Sequence, residues 1–164
     1  MNEEIQIRRR DCVLRIRRME EKDIPAVREL ERQCFSDPWT EHMLRDMLDS
    51  ELDGSLLLEL SGENAYSWIT AGYANVRVLM DEAELMRICI AQEYRGKGWS
   101  VPLLEAALKE MIRRGASSAT LEVRAGNIPA IRLYERHGFQ KEGLRKNYYR
   151  EPAEDAAIYW KRKL

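Results

Sequence analysis

The stretch "TLEVRAGN" sets Thr120, Glu122 and Arg124 on one face and Leu121, Val123 and Ala125 on the other, the period of a strand with one polar side. Glu122 therefore stands mid-strand on a polar face. A carboxylate there either pairs with a cross-strand cation or acts as a general base, and the spacing alone favours the pair. Asn127 and Tyr134 are seven apart, about two helical turns, so a helix would carry them on one side. Asn127 is also a good N-cap, and Tyr134 a good core residue with a wet hydroxyl. Upstream, "YRGKGWSVPLL" offers Gly96 and Gly98 between Arg95, Lys97 and the start of an apolar-periodic run. Glycines let the main chain approach a ligand closely, the orphan N–H groups of a first helical turn converge on an anion, and the cations complement phosphate. Neither a Walker G-K-[ST] nor a G-x-G-x-x-G fits, so a Gly-rich turn with two solvated cations is an equal reading.

Hydrophobic periodicity places these residues on elements. A strand is expected near Cys12–Arg17, with Val13, Arg15 and Arg17 on its solvated face. Ile24, Val27, Leu30 and Cys34 recur at helical spacing. "SDPW" breaks that helix, and Thr40 caps a second one through Leu48. Asp53-Gly54 reads as a turn, followed by the strand-like runs "SLLLEL", "WITAGYANVRVLM" and "AELMRICIA". Leu103, Leu104, Ala107, Leu108, Met111 and Ile112 then mark one helix face ending near Gly115. "SATLEVRA" forms a strand, "NIPAIRLYERHG" a short helix closed by Gly138, and "FQKEGLRKNYY" and "AAIYWKRKL" two last strands. The expected fold is a mixed α/β (α+β) single domain over residues 1–164, with a largely antiparallel sheet of about seven strands and about four helices.

Composition narrows the function classes. Lys and Arg number 27 against 28 Asp and Glu, so no global basic field points to nucleic acid. No apolar run reaches bilayer-spanning length, and the N-terminus lacks the apolar core of a signal peptide. Cys12, Cys34 and Cys89 are odd in number and widely spaced, and His42 and His137 lie far apart. No local zinc motif results, no metal is expected, and a reduced cytoplasmic compartment is the natural reading.

Taken in order, "R-G-K-G-x-S" at 95–100, "LEVR" at 121–124, Asn127 and "LYERHGF" at 133–139 resemble the GNAT N-acetyltransferase superfamily. "DPWTE" at 37–41, "DEAEL" at 81–85 and "RKNYYREPAEDAAI" at 145–158 extend the resemblance, over nearly the whole chain, to the RimI type, which acetylates the N-terminal alanine of a ribosomal protein. The resemblance implies a GNAT-like fold and acetyl-CoA as co-substrate. It puts the pyrophosphate on Arg95, Gly96, Lys97, Gly98, Trp99 and Ser100, and the pantetheine and acetyl group along Ile88, Cys89 and Ile90. It gives Asn127 a cofactor contact, Glu122 the general base and Tyr134 the general acid, and it places Trp39, Tyr148 and Tyr149 around a protein N-terminus or peptide. The implied chemistry is direct attack of a deprotonated amine on the thioester, with a strand N–H near Ile90 for the oxyanion and no acyl-enzyme.

The cradle departs from the family pattern of Gln or Arg, any two, Gly, any one, then Gly or Ala. Ser100 holds the last position, and Pro102 removes one N–H from the first helical turn. A modest change in CoA affinity is expected, with Trp99 either beside the cofactor or capping the core. Acceptors other than an N-terminal alanine (a lysine side chain, a polyamine, an amino acid or an antibiotic) stay open, as does an inactive CoA-binding module.

Overall fold

The computed structural model describes residues 4–9, 11–62 and 66–164. Its strands are β1 (Ile5–Arg9), β2 (Cys12–Arg18), β3 (Asp53–Gly62), β4 (Ile69–Leu79), β5 (Glu82–Ile90), β6 (Ser118–Arg124), β7 (Gln140–Arg150) and β8 (Ala153–Lys161). The helices are α1 (Ile24–Cys34), α2 (Glu41–Asp49), α3 (Ser100–Arg113) and α4 (Ile128–Arg136). One sheet joins the strands in the order β1-β2-β3-β4-β5-β6-β8-β7. Only β5 and β6 run parallel, so the mixed, largely antiparallel expectation holds. Eight strands rather than seven form among the described residues. The addition is β1, in which only Ile5 and Ile7 alternate as apolar residues, too short a pattern to register as a strand.

Two further expectations are corrected around β2 and β3. Arg15 and Arg17 do not face open solvent. Arg15 stands opposite Glu59 in the ladder and donates to it at 2.7 Å, while Arg17 grips Asp23 with two bonds of 2.8 Å and also reaches Glu59. Both carboxylates are buried, and a buried charge must be paired. Asp53-Gly54 opens β3 instead of forming a turn, because the turn lies at residues 51–52. Gly54 is there for close approach: a Cβ would sit 2.8 Å from Arg114 Nε on the helix above.

β3 and β4 are covered on both faces, which explains the unbroken apolar run in "SLLLEL". Leu58, Ala74 and Val76 pack with Leu103, Leu104, Ala107 and Met111 of α3. Leu57 and Tyr73 point the other way, into Val27 and Leu30 of α1 and Leu44 and Met47 of α2. Each fully buried aliphatic side chain contributes about 1.5–3 kcal/mol. The expected α3 face needs one change. Ile112 is exposed, while Ala106 and Glu110 are buried. Thr40 caps α2 as expected, accepting from the Met43 N–H at 3.2 Å.

The feature that matters for a site is a break in the sheet. β5 pairs with β6 only from Glu82 to Glu84, against Ser118 to Thr120, and no further rungs follow. β6 continues instead with β8, across Ala119–Arg124. From Leu85 onward β5 therefore borders a wedge-shaped gap. A bulge sharpens the divergence: Val76 pairs with Leu85 and Asn75 with Arg87, leaving Met86 without a partner on β4. Such an inserted residue bends the strand and re-aims its side chains. Among the described residues, no helix is long and apolar enough to cross a membrane.

Candidate active site

A cavity of about 790 Å³ fills the gap, bounded by the residues after α1, the middle of β5, β6, α4 and the end of β7. Glu122, Asn127, Tyr134, Ile88, Trp39, Tyr148 and Tyr149 all line it, although the sequence scatters them over four elements and two loops. Glu122 and Tyr134 approach from opposite faces of the sheet. Tyr134 shares the α3-side core with Leu121 and Val123, whereas strand alternation turns Glu122 the other way. They share one space only because β5 and β6 part after Glu84 and Thr120.

Glu122 is not a bare carboxylate. Arg145 on β7 donates to it at 2.7 Å, the cross-strand cation that spacing favoured. Tyr148 stands beside it, and the negative charge of Glu122 pushes that phenol's pKa up, with burial adding to the effect. Tyr134 is almost fully buried, its ring meeting Phe139 edge-on with centroids 6.0 Å apart. Burial pushes its pKa far above the usual phenol value, so it holds its proton throughout the neutral range. Asn127 caps α4, its Oδ1 accepting from the Ala130 N–H at 3.3 Å, and it borders the cavity from that position.

Four residues shape the cavity that residue spacing did not single out. Glu84 lines it from β5, and Arg145 pairs with Glu122. Arg124 ties the two loops around the opening together, donating to Ser36 Oγ at 2.9 Å, Glu151 O at 3.0 Å and Pro152 O at 2.9 Å. Its guanidinium also lies 4.1 Å from the Tyr149 ring centroid. Arg87 stacks on Phe35 at 4.2 Å and Trp39 at 4.7 Å and donates to Asp37 O at 2.8 Å. Glu84 falls within "DEAEL", a segment that only the family resemblance picks out. The arginine contacts span tens of residues and leave no local signal.

At the far end of β5 the Gly-rich segment meets α3. Gly96 and Gly98 adopt φ of 73° and 76°, the left-handed region where any other side chain is strained. α3 begins at Ser100, so Pro102 falls in the first turn, where its missing N–H breaks no intrahelical bond. Trp99 turns into the core under the Arg9 guanidinium, 4.3 Å from its ring centroid. Arg95 folds back: Nε donates to Ile90 O at 3.0 Å and Nη2 to Cys34 Sγ at 3.3 Å. The side-chain charge left facing outward is that of Lys97, near the Tyr94 ring. Cys89 and Ile90 lie buried between this segment and the cavity. The Cys89 thiol hydrogen-bonds to Cys34 and, with Arg95, brings the Cys34 pKa down to about 7 against the opposing effect of burial.

The arrangement can take an extended ligand with an anionic end. Glycine backbone and a helix N-terminus receive the anion, and the unpaired edge of β5 can bond an amide-bearing arm as a sheet neighbour does. An arm so held would end at the gap between Glu122 and Tyr134. The chain is 36% identical over 146 residues to a Bacillus subtilis (strain 168) protein provisionally named as a ribosomal protein bS18-alanine N-acetyltransferase, covering 88% of this chain and 93% of that one. It superposes on the crystal structure of the ribosomal-protein-S18-alanine N-acetyltransferase from Escherichia coli with a TM-score of 0.76 at 33% identity, covering 90% and 92% of the two chains. A chain of the NatC complex bound to Gag peptide and CoA shares the fold at a TM-score of 0.77 and 21% identity, over 90% of this chain and 96% of that one. Residues 24–139 match the acetyltransferase (GNAT) family, to which this chain belongs as an acyltransferase.

Proposed function

We propose that the chain is a single N-acetyltransferase domain over residues 1–164, moving acetyl from acetyl-CoA to the α-amine of an N-terminal alanine, as on a ribosomal protein. The observation that carries this reading is the meeting of Glu122 and Tyr134, from opposite faces of the sheet, in one cavity at the strand gap. The names of the relatives supply the acceptor. Gly96, Lys97, Gly98 and Ser100 receive the pyrophosphate, with the backbone at Arg95 and Trp99 completing the turn and Asn127 bordering the cofactor from α4. The arm runs along Ile88, Cys89 and Ile90, and Trp39, Tyr148 and Tyr149 enclose the peptide end.

A peptide α-amine has a pKa of about 8, so much of it is protonated at neutral pH and cannot attack. Glu122 takes a proton from the nitrogen, the freed lone pair attacks the thioester carbon, and the strand N–H near Ile90 steadies the oxyanion. The C–S bond breaks and the Tyr134 hydroxyl protonates the leaving thiolate. Cys89 stays a small apolar strand residue, since its hydrogen bond with Cys34, then burial, raise its pKa and disfavour a nucleophilic thiolate.

The test is acetyl-CoA turnover against an Ala-starting peptide, a Lys peptide with a blocked N-terminus, and small amines including a polyamine. Turnover with the Ala-starting peptide alone is expected. Turnover confined to small amines moves the acceptor class, and CoA binding without turnover makes the chain an inactive module. The cradle has its own check. Gly98→Ala forces a side chain into the left-handed region at a cost of about 1–2 kcal/mol. Acetyl-CoA Kd is expected to rise by about 5–30-fold by calorimetry, with peptide KM little changed; an unaltered Kd removes Gly98 from the cradle.

A further inference from the structure

The anion end of the site is main chain, and main-chain donors work only if their peptide planes face the right way. Among the described residues, none accepts from the N–H groups of Gly96, Lys97 or Gly98. We infer that Arg9, on β1, positions this segment: it fixes the Lys97–Gly98 peptide plane so that the Gly98 N–H faces the pyrophosphate. The inference rests on the acetyl-transfer reading above and adds a positioning residue to its cradle.

Arg9 ends β1, paired with Cys12 across the hairpin to β2. It lies upstream of residues 24–139, the segment that matches the acetyltransferase family. Its Nη1 donates to the Lys97 carbonyl at 3.0 Å, across 88 residues of sequence. The guanidinium lies 4.3 Å from the Trp99 ring centroid, and Trp99 shares the core with Leu103 and Leu104 of α3. Nη1 also stands 3.8 Å from the point where a Cβ on Gly98 would sit. One side chain from the β1–β2 hairpin therefore borders Lys97, Gly98 and Trp99 in succession.

A trans peptide unit is planar, and its C=O and N–H point in opposite directions. Holding the Lys97 oxygen toward Arg9 turns the Gly98 N–H away from β1, to the other side of the segment. The local backbone does not secure that orientation by itself. Gly96 and Gly98 flank the plane at φ of 73° and 76°, and glycine reaches either sign of φ at little cost. Flipped, the plane would offer a carbonyl acceptor to the phosphates in place of a donor. A guanidinium on the carbonyl opposes that flip with a charge-assisted hydrogen bond. Stacking on the buried Trp99 ring holds the planar guanidinium in place for it.

The test is acetyl-CoA binding by calorimetry, set beside the KM of an acetyl-pantetheine donor that lacks the pyrophosphate, with the Ala-starting peptide as acceptor. Wild type, Arg9→Ala and Arg9→Lys are compared. Arg9→Ala is expected to raise the acetyl-CoA Kd by about 5–10-fold and the acetyl-pantetheine KM by less than about 2-fold. Arg9→Lys keeps a charged donor without the planar stack and should recover part of the loss. The amide proton of Gly98 should move downfield when CoA binds to wild type, and less so in Arg9→Ala. Equal losses with both donors would make Arg9 a general support of the fold. Full recovery in Arg9→Lys, with the Gly98 shift unaltered in Arg9→Ala, would make it a simple cation. Either result overturns the proposal. A wild type without acetyl-CoA affinity overturns the acetyl-transfer reading and this one together, whereas a wild type that binds and an Arg9→Ala with unaltered Kd overturn this one alone.

Discussion

Replacing Tyr134 with phenylalanine is expected to lower kcat by about 10²–10³-fold while leaving acetyl-CoA affinity within about 2-fold of wild type. The substitution removes one hydroxyl and keeps the ring, so the edge-on contact with Phe139 and the α3-side core survive. Thermal stability should therefore change little. What disappears is the proton offered to the leaving thiolate. Burial keeps that proton on the phenol at neutral pH, so the donor is in the right state without help from a neighbouring base. A second donor separates acid catalysis from a packing effect. An acetyl thioester of an acidic aromatic thiol leaves readily as the anion and needs no proton, so the deficit of Tyr134→Phe should shrink toward unity with it. An equal deficit with both donors would remove the acid role from Tyr134.

Much of this site was legible locally. Alternation put Glu122 on a polar strand face, the seven-residue spacing put Asn127 and Tyr134 on one side of a helix, and two glycines marked a left-handed turn before α3. Those signals work because strand and helix periods are properties of short segments. The rest required pairing across distance. Glu122 and Tyr134 share a cavity only because the β5–β6 ladder stops after Glu84, a feature of strand pairing that no local period reports. Arg95 complements phosphate by its type, and its guanidinium bonds the Ile90 carbonyl at the strand end, a contact no local pattern shows. Arg15 and Arg17 were read as solvated, yet the register of β2 on β3 delivers Glu59 to them. Charge-rich positions mislead in one consistent way: alternation reports which face a side chain is on, not what waits there.

The same long-range logic gives the largest expected effect on stability. Glu31 of α1 is wholly buried, and its carboxylate holds three elements at once. It accepts the Trp39 N–H at 2.7 Å from the loop after α1 and the Tyr73 hydroxyl from β4, and it faces Arg87 Nε of β5 at 3.5 Å. Arg87 in turn carries Phe35, Trp39 and the Asp37 carbonyl, all bordering the cavity. Glu31→Ala removes the carboxylate from a half-buried guanidinium, a buried hydroxyl and a loop N–H together. Breaking one partner of a buried ionic cluster costs about 3–5 kcal/mol. With a urea m-value of about 2 kcal/mol/M, the unfolding midpoint should fall by about 1.5–2.5 M. Below that midpoint, the loop carrying Trp39 loses its anchor while the glycine segment before α3 keeps its own. Peptide KM should therefore rise by about 10-fold or more, with acetyl-CoA Kd changed less than about 3-fold. Glu31→Gln, which keeps an acceptor for one of the two neutral donors, should lose less on both measures. A midpoint that does not move would show that the cluster contributes no net stability. Equal weakening of peptide and acetyl-CoA would show that Glu31 supports the sheet as a whole instead of the acceptor loop.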